Sequence, residues 1–188
     1  MTGLDGDVLA DYERIVGAVR AEMRVRGLSA VAVAARVGVH PSTVTKWLHG
    51  RLTPSVEHLL ELAAVVGLRV VVEAPSAVVG SSVEARPSQV GAAGEIARLA
   101  RRLRARREVC RRTQESVAES LHVTEATVQR WESGRRIPET VALLRWARTL
   151  NLSVRVCAGG WEVAGRRVAA GPRPGSTAAR RARAGIHY

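Results

Sequence analysis

The chain repeats itself. Shifted by 84 positions, residues 37–72 (VGVHPSTVTKWLHGRLTPSVEHLLELAAVVGLRVVV) align without a gap on residues 121–156 (LHVTEATVQRWESGRRIPETVALLRWARTLNLSVRV), and 13 of the 36 columns are identical. The identities include Thr43/Thr127, Trp47/Trp131, Gly50/Gly134, Arg51/Arg135, Pro54/Pro138 and Leu59/Leu143. A duplicated unit must find the same fold twice within 188 residues. Units of about 60 residues bury only marginal cores, so the two repeats are expected to lean on each other.

Hydrophobic spacing gives each repeat the same order of elements. A long first helix is read from Ile15, Val19, Met23 and Val25 in the first repeat and from Ile96, Leu99 and Leu103 in the second. Ser29 and Thr113 can cap a second helix, Gly38 closes it in the first repeat, and His40 or Thr124 precedes a third helix that ends at Gly50 or Gly134. Pro54 and Pro138 start a fourth, with Ser55 and Thr140 as its expected caps. The period then switches from 3.6 to 2: Leu68, Val70 and Val72 alternate, as do Leu152, Val154 and Val156. In the second repeat LSVRVCA, Gly159-Gly160 and WEVA read as a hairpin. An isolated edge strand would be left exposed, so the strands of the two repeats are expected to pair across an approximate two-fold.

The expected domains are 1–73 (helical unit with a strand), 74–94 (a linker rich in Gly, Ser, Ala and Pro), 95–170 (helical unit with a hairpin) and 171–188 (a basic disordered tail).

Charge is lopsided. Residues 1–94 hold nine basic and nine acidic side chains, whereas residues 95–188 hold twenty and eight, so the whole net charge of +12 belongs to the second half. A basic half attracts polyanions, nucleic acid first and an acidic membrane surface second. The acidic opening MTGLDGDVLADYER is unlike a secretion signal, and no run approaches 18 uninterrupted apolar residues, so neither export nor a membrane span is expected. Cys110 and Cys157, 47 positions apart, offer neither a disulfide framework nor a zinc pair and suit a reducing cytoplasm.

The spacing VxxxTVxxWxxGRxxP followed by LLxLA resembles the lambda-repressor-like helix-turn-helix family, also called the Cro or XRE type, in two tandem copies. The added strands resemble antitoxin regulators of the HipB kind. The resemblance implies a mainly α fold: two helix-turn-helix bundles joined by a small antiparallel β-sheet with pseudo-two-fold symmetry. It also implies that the third helix lies in the major groove while the start of the second helix and the following loop hold phosphates.

Carried over by position, Gln114, Thr124, Arg135 and Arg136 would hold the DNA backbone, and Glu125, Ala126, Gln129 and Arg130 would meet base edges. Arg130 can fork onto guanine, Gln129 can pair with adenine, and Glu125 can accept from cytosine. In the first repeat the matching face is Pro41, Ser42, Thr45 and Lys46, with His40 at the cap and Arg51 in the loop. There the usual polar phosphate contact is replaced by Ala30. Since Lys46 and Arg130 stand on non-identical helices, an asymmetric DNA site is expected in place of a palindrome. The family's structural ion pair falls on Arg107 and Glu132 in the second repeat, and on Met23 and Leu48 in the first. Exchanging both partners for apolar residues removes two desolvation penalties together.

Other features are read more plainly. Trp47 and Trp131 could stack on bases, but each lies three residues after Val44 or Val128 on the inward face of its helix, which makes them core. The arginine run of residues 98–112 holds eight arginines against one glutamate and is expected to touch phosphate. Tail arginines Arg173, Arg180, Arg181 and Arg183 could reach a groove, or serve no specific role. His40, His49 and His58 recur every nine residues without a carboxylate pattern, which is no basis for a metal site.

No Gly-rich phosphate loop or nucleophile elbow occurs, so no catalysis, cofactor or metal is expected. The expected function is a cytoplasmic, nucleoid-associated repressor of the phage-immunity or host type that binds double-stranded DNA as a pseudo-dimeric monomer or a homodimer. The alternatives are an antitoxin-like regulator whose first repeat docks a protein partner, and an architectural or recombination accessory protein.

Overall fold

The computed structural model describes residues 3–74 and 91–159. Helix α1 (Gly3–Val25) turns Val8, Tyr12, Ile15, Val16, Val19 and Met23 into the core as one stripe at three- and four-residue spacing. Val25, expected on that stripe, is 80% exposed. Two residues past Met23 lies the far side of a 3.6-residue turn. Helix α2 (Ala30–Val37) starts where Ser29 Oγ accepts from the Ala32 amide at 3.1 Å and stops at Gly38. Helix α3 (Pro41–Leu48) starts where His40 Nδ1 accepts from the Ser42 amide at 3.2 Å. Helix α4 (Val56–Val65) follows its Ser55 cap and leads into strand β1 (Leu68–Glu73).

The second repeat runs α5 (Ala92–Val109), α6 (Gln114–Leu121), α7 (Glu125–Glu132), α8 (Thr140–Thr149) and β2 (Ser153–Ala158). Thr113 and Thr124 cap α6 and α7 as expected. Thr140 does not cap α8. Glu139 holds that position with no side-chain bond, and the buried Thr140 hydroxyl donates instead to the Pro54 carbonyl of the first repeat at 2.6 Å. Trp47 and Trp131 are buried, each beside a ring of the fourth helix of its own repeat: His58 at 5.3 Å and Trp146 at 5.6 Å.

The strands pair antiparallel, β1 with β2, from Leu68 opposite Ala158 to Glu73 opposite Ser153. In this register Val71 faces Arg155, the same position of the two repeats. An isolated bridge joins Ser55 to Glu139, again one position met twice. An antiparallel pair sets a residue opposite its own repeat-mate only about a local two-fold, so such an axis passes through both pairs. Helices α4 and α8, each about 15 Å long, run from the bridge toward the sheet. Around this axis the packing is reciprocal: α1 lies on α8 and β2, and α5 on α4 and β1. One hydrophobic core runs through both repeats.

The interface also buries two carboxylates at equivalent positions, Asp11 of α1 and Glu95 of α5. Each binds an arginine three residues on, Arg14 or Arg98. Each also binds an arginine from the other repeat: Arg148 reaches Asp11 at 2.6 and 2.7 Å, and Arg69 reaches Glu95 at 3.1 and 2.8 Å. Such ions survive burial because every carboxylate meets charged donors.

Four arginines of the run at residues 98–112, which was expected to touch phosphate, are bonded within the chain. Arg98 and Arg102 donate at 2.6 Å to the Val70 and Val72 carbonyls, on the edge of β1 turned away from β2. Arg106 donates to the Leu150 carbonyl, and Arg112 to the Thr149 carbonyl, Ser116 and Ser120. An unpaired strand edge and bare helix ends need donors, and this run supplies them. The hairpin strand WEVA, residues 75–90 of the linker and the basic tail lie outside the described residues. Among the described residues no helix is long and apolar enough to cross a membrane.

Candidate nucleic-acid interface

Helices α2 and α3 pack as a pair, and so do α6 and α7. In each pair the second helix buries its valine and tryptophan, Val44 and Trp47 or Val128 and Trp131, and so turns the opposite face outward. That face holds the predicted base-reading residues. Glu125, Ala126, Gln129 and Arg130 are exposed on α7, as are Ser42, Thr45 and Lys46 on α3; Pro41 is half-buried.

The two faces differ in what they offer. On α3 the Thr45 hydroxyl is already donated to the Pro41 carbonyl at 3.2 Å, and Ser42 Oγ lies 2.8 Å from His40 Nδ1. Lys46 is its one strong outward donor. On α7 neither Gln129 nor Arg130 spends its side chain on a partner among the described residues, which leaves an amide and a guanidinium for bidentate contacts.

Both helices end at a left-handed glycine, Gly50 (φ 67°) and Gly134 (φ 73°), and the amides of Arg51 and Arg136 fold back onto the Lys46 and Arg130 carbonyls at 2.9 and 3.2 Å. A side chain at either glycine would be strained. The turn leaves Arg51, Arg135 and Arg136 exposed. Arg51 and Arg135 each precede an axial residue, Ser55 or Glu139, by four positions, so both loops lie within about 14 Å of the two-fold.

A family profile described as a helix-turn-helix domain matches residues 98–156, and one described as helix-turn-helix matches residues 21–71. The chain carries two helix-turn-helix domains. They are XRE-like, and domains of this kind serve DNA-binding transcription regulators. No curated protein and no solved structure shows significant similarity to the chain.

Within the second helix-turn-helix domain, Arg107 of α5 grips Glu132 at the end of α7 with two bonds, at 2.7 and 3.0 Å, and the carboxylate holds Arg107 above its ordinary guanidinium range. Gln114, expected on phosphate, donates its amide to the same carboxylate at 2.7 Å. The nitrogen keeps a second hydrogen, so one amide can be braced by Glu132 while the other proton meets a phosphate oxygen. Thr124 is exposed but spends its oxygen on the Thr127 amide at 3.3 Å. In the first helix-turn-helix domain Met23 and Leu48 stand at the ion-pair positions, both buried, and Ala30 replaces Gln114.

Asp11 and Glu95 each lie just before the matched segment of their own repeat. They were missed in the sequence because the partner that explains Asp11 lies 137 residues away. Their shared signal is the 84-residue offset, which carries Asp11 to Glu95 and Arg14 to Arg98.

Proposed function

We propose that the chain is a sequence-specific repressor that occupies promoter DNA, with α7 as its principal reading helix and α3 as a second, weaker one. The observation that carries this reading is the contrast on α7: Val128 and Trp131 are buried, while Gln129 and Arg130 project outward with uncommitted side chains above a loop of exposed arginines. Glu125, Ala126, Gln129 and Arg130 take the base edges. Gln114, Thr124, Arg135 and Arg136 take the backbone. Ser42, Thr45, Lys46 and Arg51 form the corresponding set of the first domain.

The test separates the two kinds of contact. Arg130→Ala is expected to cost about 1–3 kcal/mol on the preferred sequence and to relax preference at one base pair. Arg135→Ala is expected to weaken binding to every sequence alike and to lower the salt slope by about one. Titrations of both variants on specific and random duplexes at several salt concentrations measure this. Equal, sequence-blind losses for the two variants refute the assignment.

A second reading, a protein partner on the first domain, draws on α2, where Val31 is 63% exposed and Ala30 replaces the polar contact. A DNA selection that recovers only the sequence read by α7 would favour it.

A further inference from the structure

We infer that one chain binds an operator of two unequal half-sites in inverted orientation, the stronger under α7 and the weaker under α3. This rests on the reading of α3 and α7 as recognition helices. The orientation follows from the symmetry. Tandem repeats on a flexible tether would be free to bind direct repeats, but Val71 facing Arg155 and Ser55 bridging Glu139 relate these two repeats by a two-fold rotation. The relation is locked: the first helices cross over to the opposite repeat, and Asp11 and Glu95 are buried against Arg148 and Arg69 from the other side. Duplex DNA has two-fold axes perpendicular to its length, so helices related by a two-fold meet half-sites that read in opposite senses.

The DNA-facing end of the axis is marked by the loops of Arg51 and Arg135, within about 14 Å of the Ser55–Glu139 bridge. The sheet sits farther along α4 and α8. Phosphates nearest the operator centre therefore face Arg51 on one side and Arg135 with Arg136 on the other. Inequality of the halves follows from the side chains. Beneath α7 lie an uncommitted arginine and glutamine with a braced Gln114 behind them; beneath α3 lies Lys46 with two locally bonded hydroxyls and Ala30.

The experiment copies one recognition face onto the other in the full chain. The quadruple variant Pro41→Glu, Ser42→Ala, Thr45→Gln, Lys46→Arg gives α3 the outward residues of α7. Wild type and variant each select duplexes from a random pool at fixed salt, and sedimentation gives the number of chains per duplex. Wild type is expected to enrich two different inverted half-sites with one chain bound. The variant is expected to enrich the α7 half-site twice, inverted, at the same spacing, and to bind that perfect inverted repeat about tenfold or more tighter than wild type does, as one gained bidentate contact allows. Enrichment of a direct repeat, of a single half-site, or of duplexes holding two chains overturns the inverted operator while leaving sequence-specific binding intact. Enrichment of no sequence by wild type overturns the regulator reading itself. Unchanged variant affinity for a lone α7 half-site shows that the fold is kept, and the wild-type selection decides the orientation by itself.

Discussion

Replacing Glu132 by Leu leaves the Arg107 guanidinium, whose side chain is 12% exposed, with the Arg112 carbonyl at 2.9 Å and the half-exposed Glu108 carboxylate at 3.7 Å. It also strips Gln114 of its partner. Replacing Arg107 by Met leaves a carboxylate that is 2% exposed with only the Gln114 amide. Breaking a buried pair from one side costs about 3–5 kcal/mol, and at roughly 2–4 °C per kcal/mol for a chain of this size the midpoint should fall by roughly 6–20 °C. The double variant Arg107→Met, Glu132→Leu installs the pair that the first repeat already uses at Met23 and Leu48. It should lie within about 1 kcal/mol of wild type, because both desolvation penalties vanish together. Urea unfolding followed by tryptophan fluorescence, with Trp131 adjacent to the pair, closes the cycle. A double variant as unstable as the two single losses combined, or a single variant costing less than about 1 kcal/mol, would refute the reasoning.

Burial pushes the Tyr12 phenol from 10.0 up to about 12, and its hydroxyl donates to the Trp47 and Leu52 carbonyls. The folded chain keeps a proton that the unfolded chain sheds, so this contribution to stability is whole below pH 10 and disappears as pH climbs through 12. Urea midpoints on either side of pH 10 should show an alkaline loss that Tyr12→Phe reduces; an equal loss in both proteins sinks the assignment. Arg148→Ala leaves the fully buried Asp11 with Arg14 alone and should cost about 3 kcal/mol in a single transition shared by both repeats; two resolved calorimetric transitions would show that the repeats are not one cooperative unit. Arg102→Ala bares the Val72 carbonyl on the outer edge of β1 and should produce concentration-dependent association in sedimentation velocity. A variant that stays at the wild-type size at all concentrations speaks against the capping role.

The parts of this fold that were legible are those fixed by nearby residues. Helix starts at Ser29, Thr113 and Thr124 follow from side chains that reach their own amides. The inward turn of Trp47 and Trp131 follows from three-residue spacing to a valine, and the Arg107–Glu132 pair follows from the family pattern. What local pattern misreads is set by residues far along the chain, several of them in the other repeat. Thr140 looks like a cap by type and place, yet Pro54 lies across the axis and takes its hydroxyl. Arginines of α5 look like a solvated or phosphate-bound face, yet a strand edge and a helix end from elsewhere in the chain claim them. At the interface the exposure of α3 and α7 was legible. The commitment of the Ser42 and Thr45 hydroxyls was not, since it depends on rotamers that spacing does not specify.

The self-facing pairs Ser55–Glu139 and Val71–Arg155 also bear on dosage. A regulator assembled from two separate polypeptides comes apart on dilution, and its occupancy then falls with the square of its abundance. Here the two arms share one backbone and a permanently high local concentration. On the proposed function, with one chain per operator, saturation of a promoter should therefore follow a simple hyperbola down to a handful of molecules per cell, without a threshold set by self-association.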